Sequence, residues 1–271
     1  SDCLVGSEMC IRDRYNTIAT WQSLNVLEKK SKDEHSTEFK EFIEGINTVI
    51  VDEVHMAKAD VLKRMLTGPF AHCQIRWGLT GTVPKQEYEY MGIKVGLGEV
   101  TNKIPAKDLQ DKGVLANCHV NVLQTNDILE FRSYAEELKW LTTDAKRMSW
   151  VAQTINDIST SGNTLILVDR ISAGEILEKK IKDSVFIRGA TKNMERKEHY
   201  DEVSTAQTKV IIATYGVAAV GINIPRIFNL VLIEPGKSFV RVIQSIGRGI
   251  RKAEDKDSVN IWDITSACKF A

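Results

Sequence analysis

The chain has 271 residues, room for one large or two ordinary domains, and its 43% hydrophobic content is enough for a sizeable core. No apolar run approaches the ~20 residues that a membrane-spanning helix needs. The 36 basic and 36 acidic residues cancel, which excludes a uniformly basic nucleic-acid coat, so any contact with a polyanion must come from a local patch.

The first fourteen residues, SDCLVGSEMCIRDR, show neither a helical nor a strand period. Gly6, Ser7 and Glu8 also break the apolar stretch that a secretory signal requires. Residues 4–13, LVGSEMCIRD, resemble the translation of a transposon adapter used to prepare sequencing libraries. Residues 1–14 are therefore read as non-native, adapter-derived sequence joined to a truncated reading frame. The fold reading starts near Tyr15.

From there to about residue 110, strands and helices alternate. NTIAT (16–20) leads into WQSLNVL, and the charged stretch 28–44 reads as a solvated helix and loop. NTVIV (47–51) lacks period-2 alternation, which predicts a strand buried on both faces, as in parallel sheets. KADVLKRMLTG (58–68) is an amphipathic helix stopped by Gly68-Pro69, and IRWGLTGT (75–82) is a strand with its exit loop. Residues 83–128 are less regular, with one more strand at HVNVLQT (119–125), and 111–140 is expected to be a linker region.

In RMSWVAQTINDI, Met148, Val151, Ala152, Ile155 and Ile158 fall at helical spacing. Strands then follow near 164–168, 184–187, 209–213, 229–233 and 259–262, with helical segments between them. Such alternation implies a parallel sheet covered on both faces. The expected fold class is α/β, with parallel-sheet domains over 15–110 and 141–271, the first truncated at its N-terminus.

The five cysteines show no CxxC spacing. Cys73, Cys118 and Cys268 read as reduced core residues of a cytosolic protein. His72–Cys73 and Cys118–His119 lack the close-spaced ligand pairs of a zinc site.

The chemistry concentrates in four segments. NTVIVDEVH (47–55) ends a predicted strand in two carboxylates, and parallel strands present that end to the ligand crevice. There Asp52 can hold Mg²⁺ and Glu53 can orient and deprotonate a water, the two roles that phosphoryl transfer to water requires. His55 lies two places on, within reach of a γ-phosphate or a partner domain. GLTGT (78–82) puts glycines and hydroxyls at a strand exit, and IATYGVAAVGINIP (212–225) follows further on. In QSIGRGIRK (244–252), Gln244, Arg248 and Arg251 share one helix face, and Gly247 and Gly249 allow close backbone approach. The surrounding run 236–252 carries five basic residues and no acid, which suits a polyanion such as a triphosphate.

Taken in order, ATWQSL, VDEVH, GLTGT, ATYGVAAVGIN and QSIGRGIR resemble the superfamily 2 helicases, and among them the phage UvsW-type helicases. The resemblance implies two RecA-like domains that bind ATP with Mg²⁺ between them and a nucleic-acid strand across their tops. It implies Asp52 as magnesium ligand, Glu53 as catalytic base, and His55 with Gln244 coupling the γ-phosphate. Arg248 and Arg251 would be arginine fingers. Thr20, Gln22, Thr214 and Lys237 would contact the nucleic-acid backbone. Thr80 and Thr82 would couple hydrolysis to strand movement. Gly221 and Asn223 would lie near the ribose, where many relatives carry Asp in place of Asn. DNA, single-stranded or branched, is the implied partner, with RNA as an alternative. A monomer in the bacterial host cytoplasm, without membrane contact, is the implied setting.

The GKS at 236–238 does not supply the phosphate-binding loop, because the motif needs Gly where Val231 stands, and Glu234 and Pro235 oppose phosphate. That loop is expected upstream of Tyr15. Other readings are an ATP-independent binding or annealing module, a restriction-system translocase subunit and a purely structural adaptor.

Overall fold

The computed structural model describes residues 10–12, 16–56, 60–84, 86–221, 224, 226–234, 253 and 255–270. The chain divides into two units, Ser1–Lys103 and Ile104–Ala271.

In the first unit, β1 (Cys10–Arg12) pairs antiparallel with β2 (Thr17–Ala19), although the sequence around β1 shows no strand period. Helix α1 (Trp21–Asp33) starts at Thr20, whose Oγ1 accepts the Ser23 N–H at 3.1 Å and satisfies one of the helix's orphan donors. Helix α2 (Glu38–Glu44) follows. The stretch 28–44 is less solvated than its charge predicts. Phe39 and Phe42 are buried there, and they join Leu27, Met65, Phe70 and Cys73 in a small core. Glu28 is buried too, with Lys32 at 2.7 Å and Arg64 at 2.8 Å on its carboxylate, which ties α1 to α3 (Asp60–Thr67).

Strands β3 (Thr48–Val51) and β4 (Ile75–Gly78) pair in parallel, Thr48 opposite Ile75 and Val51 opposite Gly78. One face is covered. Val49 packs on the small core, and Gly78 lies so close to Val54 and to Leu97 of α4 (Glu87–Leu97) that a Cβ there would collide. The other face is bare: Ile50 is 56% and Trp77 61% exposed, with Ile75 also exposed. The prediction that β3 is buried on both faces is therefore corrected. Its apolar run reflects a sheet built to be covered, but among the described residues only one face has a cover.

The second unit is a parallel α/β layer structure. After α5 (Ala106–Asp111), its strands are β5 (Asn117–Thr125), β6 (Thr164–Val168), β7 (Ser184–Ile187), β8 (Val210–Thr214), β9 (Asn229–Ile233) and β10 (Ser258–Ser266). They lie in the order β5-β10-β9-β6-β8-β7, all parallel. Residues 111–140 contain β5, which is an edge strand of this sheet, and most of α6 (Tyr134–Thr143).

Helix α7 (Ala145–Ser159) buries the stripe read from the sequence. Met148, Val151 and Ile155 pack with Ile166, Val168, Ile212, Val231 and Ile264 on one face of the sheet, joined by Ala173 and Leu177 of α8 (Ile171–Lys180). The alternate strand residues, Leu165, Leu167, Ile211, Leu230 and Leu232, face Val203 of α9 (Asn193–Thr205) and Val217 and Ala218 of α10 (Tyr215–Gly221). Burial on both faces is why TLILV shows no alternation. Each such side chain, fully removed from water, contributes about 1.5–3 kcal/mol.

At the N-terminal end of this sheet two buried amides close the loops. Asn163 Nδ2 donates to the carbonyls of Val203, Ala206 and Arg226, while its Oδ1 accepts the Lys209 N–H. Asn229 Nδ2 donates to Ser161 Oγ, and its Oδ1 accepts Trp262 Nε1–H at 3.2 Å. Buried polar groups satisfied in this way leave the opposite end of the sheet for function.

Candidate functional site

The exits of β3 and β4 are knitted together by the backbone. Leu79 N–H donates to Val51 O at 2.8 Å, and Val54 N–H donates to Leu79 O at 3.0 Å. Between them Asp52 and Glu53 stand exposed. Glu53 takes φ 48°, a left-handed conformation uncommon for a residue with a Cβ, and its N–H donates to Asp52 Oδ1 at 2.8 Å. The short 3₁₀ turn Val54–Met56 then sends His55 inward, where it is 3% exposed.

His55 Nδ1 lies 2.8 Å from Thr80 Oγ1 and 3.3 Å from Glu53 Oε2. Thr80 Oγ1 also accepts the Thr82 N–H at 3.0 Å, and Thr82 is itself buried. Thus Asp52, Glu53, His55, Thr80 and Thr82, predicted from two separate motifs, meet in one hydrogen-bonded group. It leaves two carboxylates facing solvent with a histidine clamped behind them. Among the described residues no cluster of three or more His, Cys, Asp or Glu could hold a metal ion. A single exposed carboxylate suits Mg²⁺, which keeps waters and phosphate oxygens as its other ligands.

Thr20 and Thr214 play matching local roles. Each ends an Ile-Ala-Thr run at a strand exit. Thr20 caps α1, and Thr214 Oγ1 accepts the Val217 N–H of α10 at 3.4 Å. Gln22 is exposed in the first turn of α1, and Gly221 closes α10. Asn223, Lys237, Gln244, Arg248 and Arg251 lie outside the described residues. Of the cysteines, Cys73 and Cys268 are buried as predicted, but Cys118 is exposed, because β5 is an edge strand.

The sequence reading missed a buried ionic group in the second unit. Arg147 of α7 places Nη2 2.7 Å from Glu234 Oε1 and Nη1 3.2 Å from Asp127 Oδ2 and 2.6 Å from Thr125 Oγ1, while Nε–H donates to Leu141 O at 3.1 Å. Ser266 Oγ–H donates to Asp127 Oδ2 at 2.7 Å. Glu137 of α6 accepts the Phe270 N–H at 3.0 Å. Burial pushes the Glu234 carboxyl up to about 7 against the pull of Arg147, helped by Asp263 and Glu137 nearby. These partners are far apart in sequence, and the one legible signal is an arginine adjoining the apolar stripe of a helix.

Residues 146–253 match the helicase conserved C-terminal domain, and the second unit has that family's parallel α/β architecture. Over most of its length the chain is similar to helicases, those of the UvsW kind among them.

The ATP-dependent DNA helicase uvsW of Enterobacteria phage T4 is 24% identical over 236 residues, which is 83% of this chain and 47% of that protein. Putative helicase 22 of a Sulfolobus islandicus filamentous virus is 25% identical over 256 residues, 87% of this chain and 45% of that protein. The chain thus spans about half the length of the curated relatives it matches. Among solved structures, the Mycobacterium smegmatis helicase Lhr bound to ssDNA and AMP-PNP shares the fold with a TM-score of 0.55 at 17% identity, over 91% of this chain and 31% of that one.

Proposed function

We propose that the chain is part of an ATP-dependent superfamily 2 helicase or translocase, with Mg²⁺ and ATP at Asp52 and Glu53 and a nucleic-acid strand as its track. DNA in recombination, repair or replication restart is the favoured substrate. The observation that carries this reading is the chain of contacts Glu53–His55–Thr80–Thr82. It links the group that would activate water to the exit of the neighbouring strand, as a motor that converts hydrolysis into movement requires. In this reading the sheet of the first unit is covered on its second face in a complete RecA-like domain, which the bare face at Ile50 and Trp77 supports. Gln244, Arg248 and Arg251 then act on the triphosphate. Thr20, Gln22, Thr214 and Lys237 hold the strand by its backbone, which passes any sequence.

The 271 residues contain no GxxxxGK[ST] run, and Val231, where the motif would need glycine, is buried inside β9. We infer that this chain alone does not turn over ATP, and that the Mg²⁺–nucleotide chemistry needs a lysine-bearing phosphate loop from elsewhere in the protein.

Two measurements test the proposal. The chain should bind single-stranded DNA with an affinity that falls steeply as salt rises. Nucleic-acid-stimulated ATP hydrolysis should appear in a protein that joins this chain to such a phosphate loop, and Glu53→Gln there should abolish turnover while nucleotide binding persists. Turnover near wild type in that variant removes Glu53 from its role. An intact protein that binds DNA but shows no ATP dependence favours the annealing module instead.

A further inference from the structure

We propose that Glu234 and Arg147 form a proton-linked brace that sets the direction in which the chain leaves β9, and that Glu234 is therefore a positioning residue for the segment that follows. The inference rests on the proposed function, because Gln244, Arg248 and Arg251 lie in that segment.

Three observations carry it. First, Glu234 is the residue directly after β9, and it takes φ 44°, the left-handed region that a side-chained residue adopts only when its surroundings hold it there. Second, what holds it is visible. Glu234 is 5% exposed, and its Oε1 receives Arg147 Nη2–H at 2.7 Å from a helix that is itself packed in the core. Arg147 is fixed in turn by the Leu141 carbonyl, by Thr125 and by Asp127, which Ser266 also contacts. Ends of β5, β9 and β10 are thereby joined to α7 through one guanidinium.

Third, the brace is electrostatically over-subscribed. Among the described residues, the charged groups facing Glu234 are Arg147 from α7, Asp263 from β10 and Glu137 from α6, with Asp127 beyond Arg147. Within that set one cation serves several buried or half-buried acids. Burial and the two acids raise Glu234 to about 7, so the proton it takes up arrives near neutrality. Protonation replaces the ion pair by a weaker bond from the guanidinium to a neutral carboxyl and leaves the charge of Arg147 to Asp127. The left-handed turn then loses its restraint. Ionised Glu234 holds its own backbone in the left-handed region, and neutral Glu234 relaxes it.

The decisive experiment is NMR on the full chain. The side-chain carboxyl carbon and the Cα and Cβ shifts of Glu234 are followed from pH 5.5 to 9 in the wild type and in Arg147→Lys, with Glu234→Gln supplying the assignment. Binding of a fluorescent oligo-dT is measured across the same range. In the wild type the carboxyl and the backbone shifts should titrate together near neutrality. Arg147→Lys should move both midpoints upward. The wild-type affinity should change about fivefold between pH 6 and pH 8.5, and Glu234→Gln should remove that change.

A carboxyl that titrates without backbone shifts, or shows no midpoint in this range, overturns the brace. So does a binding profile identical in the wild type and Glu234→Gln. If Glu234→Gln fails to fold, Arg147→Lys decides by the same two midpoints. If no DNA binds at any pH, the functional reading fails, and the coupled titration still decides whether the brace exists.

Discussion

At the scale of single residues, Lys256 shows how burial, and not local sequence, sets chemistry. It is 1% exposed just ahead of β10, and burial brings its ammonium down to about 8, against the opposing pull of Asp255, which is itself paired with Arg226 at 2.8 Å. The unfolded chain holds that proton up to the ordinary lysine value, so between pH 8 and about 10.5 it binds more protons than the folded one. Stability from this group therefore rises with pH across that window and is missing below it. Lys256→Met should abolish the rise, which is on the order of 3 kcal/mol at most. Urea titrations of the two proteins at pH 7.5 and 10 check this as a difference of differences. An equal pH slope in both refutes the assignment. The candidate site shows the same division. Asp52, Glu53 and His55 were legible because they follow one apolar run. That His55 turns inward onto Thr80, 25 residues away, depends on the pairing of β3 with β4.

At the scale of elements, periodicity was a good guide wherever a segment packs through a regular stripe. The five apolar positions of α7 are all buried, and α3 ends before Gly68 as its glycine-proline pair demands. Glycines inside helices were not legible. Gly174 sits in α8 where helix propensity alone favours alanine. A Cβ there would meet the ring of Phe186 on β7. Gly174→Ala should therefore destabilise the second unit by about 1–3 kcal/mol despite the better propensity. Adding Phe186→Leu should recover most of the loss. Thermal melts of the two single variants and the double variant test this, and additive losses would refute the contact. Gly162 is a similar case, with φ 151° and Phe228 against the position a Cβ would take. The charged stretch 28–44 misled for a related reason. Glu28 reads as solvent-facing, but Lys32 and Arg64 neutralise it in place and let Leu27, Phe39 and Phe42 pack beside it.

At the scale of the whole molecule, the two sheets differ in how far their apolar strands are used. In the second unit both faces are covered, so Ile212→Ala should cost about 2–5 kcal/mol. In the first, Ile50→Thr and Trp77→Thr should each change the stability of this chain by no more than about 0.5 kcal/mol, because those side chains already face water. Chemical denaturation followed by circular dichroism separates the two expectations. A large loss on Trp77→Thr would mean that the face is covered in solution. The alternation of strands and helices, the parallel α/β class, the lengths of β6, β7 and β9 and the motor-like motifs are all legible in the residues alone. Each of these is written in neighbouring residues through an unbroken apolar run, a period of 3.6 or a short spacing. Three outcomes needed the folded chain: β5 joins the second sheet, β3 has a bare face among the described residues, and Arg147 gathers Glu234 and Asp127. Those outcomes depend on which distant groups share a low-dielectric space. Pairing across 20 or 87 positions leaves no periodic trace along the chain.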